Sequence, residues 1–209
     1  RDISVSFDGE KLLFAMRFPL DPNGDEEDQP KWNIWEYSIP DKQLRRIFSP
    51  DLDVVAEEGH DVGPVYLPDG RILFSSTRQN QSVAKLTDQG RPQFAALDES
   101  FDEPAFVLHV MNADGSDLRQ VSFNQSHDLY PALLDNGRII FSRWDGAANR
   151  DSIALYTSNP DGTDMQLLYG ADTYTAAGSG VSSLQFLRPQ ELADGRVLAL
   201  TAPFSGTSN

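Results

Sequence analysis

A chain of 209 residues with a formal net charge of −15, a sequence pI near 4.4 and no cysteine has a surface that would repel a nucleic-acid backbone or an anionic membrane face. The absence of cysteine excludes disulfides, thiolate metal sites and C-x-x-C-H haem attachment within these residues, and no apolar run reaches the roughly 18 residues of a membrane span. The charge favours cationic ligands, metal ions or basic partners, and it serves solubility in any case.

The first predicted element is a β-hairpin, ISVSFDGEKLLFAM (3–16), reversed at an Asp-Gly turn. Asn-Gly and Asp-Gly suit such turns because both central residues tolerate positive φ. After the acidic loop PLDPNGDEEDQPK (19–31), a second hairpin is expected over WNIWEYSIPDKQLRRIF (32–48). The pair of hairpins then recurs. PVYLPDGRILFSST (64–77) is followed, after an insertion at 79–105 containing LDESFDEP (97–104), by FVLHVMNADGSDLRQVSF (106–123). PALLDNGRIIFSRW (131–144) is followed by IALYTSNPDGTDMQLLYG (153–170). The Gly/Ser/Thr-rich ADTYTAAGSGVSS (171–183) is expected to be irregular, and PQELADGRVLALTA (189–202) repeats the opening hairpin.

Four hairpins thus align on Gly9, Gly70, Gly137 and Gly195. Each turn is followed by a basic residue: Lys11 (after Glu10), Arg71, Arg138 and Arg196. Pro64, Pro131 and Pro189 stand six residues before their glycines, a place compatible with a strand start that needs no ladder donor. Two hairpins in series make a four-stranded antiparallel blade. The glycines are 61, 67 and 58 residues apart, more than the roughly 40–50 of a bare blade, so each repeat carries insertions. No stretch has a 3.6-residue apolar stripe. The fold expected is all-β: residues 1–209 form a single β-propeller segment with blades at about 1–48, 60–123 and 127–170 and a half-blade at 184–203. Three and a half blades do not close a ring comfortably. The expectation is a piece of a larger propeller, with a four-bladed ring as the alternative; any targeting segment is expected outside the chain.

This grammar resembles the TolB-like propeller repeats of bacterial envelope proteins. A narrower resemblance is carried by HDVGPVYLPDGRILFSSTR (60–78), LHVMNADGSDLRQVSFNQSHDLYPALLDNGRIIFSRWD (108–145), NPDGTDMQLLYG (159–170) and QFLRPQELADGRVLAL (185–200). These are similar to the propeller domain of hydrazine synthase alpha subunits and their bacterial relatives. There the chemistry belongs to flanking haem domains, and with no haem motif here that activity is not carried over. The resemblance implies a periplasmic or extracellular scaffold domain within a multidomain protein, sometimes beside cytochrome modules.

The residues best suited to chemistry are His60-Asp61 and His127-Asp128, at equivalent places just before the first strands of adjacent blades. First-strand starts ring a propeller's axis, so these four side chains form a candidate divalent-metal site, imidazole nitrogen and carboxylate oxygen suiting zinc or a similar ion. The other reading is local: Asp accepts turn N–H groups and His packs between blades. The fourth repeat has Phe186 in place of Asp. DPNGDEED (21–28) starts like a calcium loop, but its twelfth position is Trp32 rather than Glu, which favours a solvated acidic loop. NADGSD (112–117) and NPDGTD (159–164) read as turns and His109 as an ordinary strand residue. Trp32, Trp35, Tyr37, Trp144 and Tyr156 read as inter-blade packing. Arg17, Arg78 and Arg143, near the ends of second strands, are expected to make exposed ion pairs of about 0–1 kcal/mol each.

No nucleophile motif, phosphate loop or dinucleotide fingerprint occurs, and GSGVSSL (178–184) lacks the final glycine of G-x-S-x-G. The function expected is therefore a non-catalytic scaffold binding a protein or peptide partner or the flanking domains of the same protein, with no cofactor of its own beyond the possible metal ion. The alternative is the propeller part of a multi-haem or metal-dependent oxidoreductase. The gating propeller of a serine peptidase would need a hydrolase domain elsewhere.

Overall fold

The computed structural model describes residues 1–25, 29–48, 59–79, 95–98, 100–147, 150–170 and 184–203. Among them there are fourteen strands and no helix. β1 (Ser4–Val5), β2 (Lys11–Met16), β3 (Asn33–Ser38) and β4 (Gln43–Arg46) form one antiparallel sheet in chain order. β5 (Asp61–Tyr66), β6 (Ile72–Ser76), β7 (Val107–Met111) and β8 (Arg119–Gln120) form the next. β9 (Asp128–Leu133), β10 (Ile139–Ala147), β11 (Arg150–Ser158) and β12 (Gln166–Tyr169) form the third. The hairpin of β13 (Leu184–Glu191) and β14 (Val197–Pro203) joins the third sheet through a single parallel bridge, Ile153 to Gln185. These are three blades and the inner half of a fourth.

The turn glycines do what the sequence requires of them. Gly9, Gly70, Gly137 and Gly195 take φ of 75–87°, and each N–H returns to the carbonyl three residues before it. Each first strand lies innermost, and the inner strands pack in succession, β1 on β5, β5 on β9 and β9 on β13.

Burial comes from blade on blade. Between the first two blades lie Leu13, Ile34, Ile47 and Phe48 with Tyr66, Ile72, Phe74, Met111 and Leu118, and the rings of Phe48 and Phe74 meet edge to face at 6.0 Å. Between the second and third lie Leu67, Leu73, Leu108 and Val110 with Ile139 and Phe141. Each such side chain contributes about 1.5–3 kcal/mol when fully buried. The third interface is thinner, built on Leu134, Ile140, Leu155 and Phe186. Ala199 stands there where the other blades present Phe14, Phe74 and Phe141. An apolar groove of about 440 Å³ opens beside it, lined by Leu155, Leu168, Tyr169, Phe186, Val197 and Thr201 as well. The two ends of the arc leave apolar side chains exposed, among them Ile3, Val5 and Phe7 at the first blade and Leu198 and Leu200 at the last.

Candidate functional site at the inner ends of the blades

His60-Asp61 and His127-Asp128 occupy equivalent places, and each dipeptide fastens its blade to the one before. The Nδ1 of His60 accepts the backbone N–H of Trp32 at 3.2 Å, and the Asp61 N–H donates to the Trp32 carbonyl at 2.9 Å. The Nδ1 of His127 accepts the N–H of Phe106 at 3.0 Å, and the Asp128 N–H donates to the Phe106 carbonyl at 2.7 Å. Trp32 and Phe106 each directly precede the third strand of their blade. A ring nitrogen that accepts from an amide carries no proton, so both imidazoles are neutral with the proton on Nε2. Desolvation, aided by the positive charges of Lys31, Arg17 and Arg1, lowers His60 to about 4. In the fourth repeat Gln185 and Phe186 take the two places, and the Ile153–Gln185 bridge makes the corresponding link.

Both carboxylates are fully buried, and each is held by an arginine. Asp61 Oδ1 accepts from Arg78 Nε at 3.0 Å and Ser76 Oγ at 2.7 Å, while Oδ2 accepts from Arg78 Nη2 at 3.0 Å. Asp128 accepts from Arg143 Nε at 2.7 Å and Nη2 at 2.8 Å. The forked guanidinium matches a carboxylate bidentately. Burial pushes the Asp61 carboxyl up, against the pull of Arg78 and Ser76. Desolvation lowers Arg143, but Asp128 outweighs it and the guanidinium ends above its ordinary value. Arg143 also lies 5.2 Å from the centre of the Tyr156 ring, whose hydroxyl donates to Asp145 at 2.7 Å. Desolvation and that carboxylate push Tyr156 up to about 12.

The arginines correct the expectation of exposed pairs. Arg78 and Arg143 are buried, and Arg17 lies over Trp32, 4.8 Å from its centre. The four candidate metal ligands are placed blade to blade, with the Phe106 ring between the two imidazoles at 6.5 Å from His60 and 5.9 Å from His127. Among the described residues no group of three or more His, Asp or Glu is arranged to hold a metal ion. His109 is buried and stacked on Phe74 at 5.7 Å; desolvation lowers it to about 4, and its Nδ1–H donates to the Val107 carbonyl. In the calcium-like loop Asp21 Oδ1 accepts the N–H of Asn23, and the Gln29 side-chain amide donates to the Asp21 and Gly24 carbonyls; residues 26–28 lie outside the described residues. So does the segment 171–183 expected to be irregular, with most of GSGVSSL. NADGSD and NPDGTD are turns, with Asp114 and Asp161 accepting the N–H groups of Ser116 and Thr163.

A second constellation escaped the sequence reading. The residue seven before each turn glycine has left-handed backbone: Asp2 (φ 57°), Gly63 (61°), Tyr130 (53°) and Arg188 (51°). In β5, β9 and β13 the strand register shifts there, so each carries a bulge. Three of these positions, Asp2, Tyr130 and Arg188, meet one another. Arg188 Nη1 donates to Asp2 Oδ1 at 2.7 Å, joining the first and fourth inner strands, and the guanidinium carbon lies 4.4 Å from the centre of the Tyr130 ring. The signal in the sequence was Gly63 itself, the residue type that takes left-handed backbone without strain.

No protein-family model matches the chain, and no curated protein sequence matches it. Solved structures do. Hydrazine synthase of Kuenenia stuttgartiensis superposes with a TM-score of 0.65 at 18% identity, over 97% of this chain and 29% of that one. A protein assigned to TolB in Agrobacterium tumefaciens gives 0.55 at 18% identity, over 96% of this chain and 57% of that one. TolB from Acinetobacter baumannii gives 0.53 at 15% identity, over 98% and 43%. The chain spans less than two thirds of each of these structures. At such identities the likeness speaks to architecture alone, and it agrees with the blade-by-blade geometry: the chain has the fold of a TolB-like β-propeller, present as an arc of three blades and a half.

Proposed function

We propose that this chain is a non-catalytic β-propeller scaffold, part of a larger exported bacterial protein, that binds a protein or peptide partner. One observation carries the reading: the inner-end groups capable of chemistry are turned on neighbouring blades. His60 and His127 bind backbone amides, and Asp61 and Asp128 bind arginines. What the arc offers outward is turns, connecting loops and open blade faces, which are means of recognition. The test is affinity capture from bacterial envelope extract with the chain carrying a photo-crosslinker near the inner ends. The expected result is one saturable partner whose crosslinks map to that end. Failure to capture any partner, together with substrate turnover by the purified chain, would overturn it.

A second reading is supported by the superposition on hydrazine synthase. In it the propeller shapes or assembles an oxidoreductase whose haem or metal is bound by other segments, since these residues contain no cysteine. C-x-x-C-H motifs in the parent polypeptide, and haem retained on purification, would favour it. A divalent ion held by His60, Asp61, His127 and Asp128 is a separate proposal. It would require the histidines to release Trp32 and Phe106 and the carboxylates to release Arg78 and Arg143. Calorimetric titration with zinc, repeated on His60→Ala and His127→Ala, tests it.

A further inference from the structure

We infer that Arg188, laid on Tyr130 and tied to Asp2, is a receptor for a peptide carboxylate at the axis of the arc. The inference rests on the partner-binding reading and names the chemistry that this end would recognise.

All four equivalent positions take positive φ, which Gly63 and, less readily, Asp2 tolerate but which is costly for Tyr130 and Arg188. Tyr130 and Arg188 also precede prolines, which normally hold the preceding residue extended. An aromatic and a long basic side chain kept at places where glycine would be unstrained point to a role for the side chains themselves.

Arg188 gives one N–H to Asp2 and rests on the Tyr130 ring, which fixes its plane, while its side chain stays 47% exposed. A guanidinium has five N–H donors in a planar fork, so an exposed edge remains for a second acceptor. Asp2, by contrast, is 6% exposed and already lies between Arg188 and the Nε of Arg1, 3.2 Å from its other oxygen. The accessible polar group is the cation.

In a chain of net charge −15, this end gathers Arg1 and Arg17 over Trp32, and with Lys31 they act together on His60. Neither Arg17 nor Lys31 forms an ion pair among the described residues. A planar monoanion matches one guanidinium edge; a phosphate dianion would bring a second negative charge beside Asp2.

The experiment follows the Arg188 side-chain Nε–Hε resonance of the full chain during titration with three peptides. Acetyl-Ala-Ala-Ala with a free C-terminus and acetyl-Ala-Asp-Ala-amide each carry one carboxylate, at the terminus and on a side chain; acetyl-Ala-Ala-Ala-amide carries none. A saturable shift with a carboxylate peptide and none with the neutral one is expected, and the responding peptide identifies the source. Arg188→Gln should weaken binding at least tenfold. Tyr130→Gly should weaken it severalfold without lowering the melting temperature, because it relieves strain. Equal shifts with the neutral peptide, unchanged affinity in Arg188→Gln, or a Tyr130→Gly protein that melts like a core variant would overturn the inference. Partner capture undiminished in Arg188→Gln would remove the carboxylate site and leave the scaffold reading. Carboxylate binding without any captured partner would do the reverse.

Discussion

Asp128 and Arg143 face each other across β9 and β10 with two hydrogen bonds of 2.7 and 2.8 Å, the carboxylate wholly out of water. Removing one partner strands a buried charge, so Asp128→Ala is expected to cost about 3–5 kcal/mol. Replacing both, as Asp128→Leu with Arg143→Met, should recover most of that loss. Urea denaturation of the three proteins checks this. A cost below about 1 kcal/mol for the single change, typical of exposed pairs, would mean that water reaches the pair.

The histidines make the fold acid-sensitive. His60 and His109 both fall to about 4 in the folded chain against 6.5 when unfolded. Between those values the unfolded chain binds protons that the folded one does not, so stability is complete above pH 6.5 and declines as pH falls toward 4. Asp61, held above its ordinary value, acts in the opposite sense. Variants therefore isolate the histidine contribution: His109→Phe should flatten the melting-temperature profile between pH 6.5 and 4. An unchanged slope in that variant would remove His109 from the account.

Gly162 and Gly195 have nearly the same backbone, φ 82° and 79°, but different surroundings. A Cβ on Gly162 would lie 1.8 Å from the carbonyl oxygen of Val121, whereas one on Gly195 would meet nothing within 4 Å. Gly195→Ala should cost about 1–2 kcal/mol, from left-handed strain alone. Gly162→Ala should cost more, because the turn of the third blade must move off the second. Equal costs in chemical denaturation would show that the turn yields freely.

β14 is an uncharged strand, VLALTAP, with Leu198 and Leu200 exposed. Apolar edges of this kind invite pairing with other chains. Leu198→Lys should lower the fraction of associated material in sedimentation at a given concentration without changing the far-UV spectrum. Association that persists in the variant would place the sticky surface elsewhere, such as around Ile3, Val5 and Phe7.

The hairpins were legible because each turn needs one residue at positive φ, which glycine takes without strain; the Asp or Asn before it keeps negative φ and instead accepts the N–H two residues on. The equivalence of His60-Asp61 with His127-Asp128 could be read from their constant distance to the turn. Their partners could not. Arg143 stands directly across from Asp128, but Arg78 reaches Asp61 from two residues beyond the cross-strand Ser76, so no fixed spacing announced the pair. The bulge at Tyr130 and Arg188 was hidden for a related reason: propensity argues against both residues there, and only packing around the axis holds them.

The peptide groups of Trp32 and Phe106 take a wider meaning from their position. Each is the point at which one blade's outer hairpin begins, and each is gripped by the next blade's inner strand. Neighbours are thus coupled serially, like links in a chain, and a blade that lifts must first surrender its hold on the link before it. Opening therefore propagates most readily from either extremity of the arc, leaving β5 to β7 as the last region to exchange its amides.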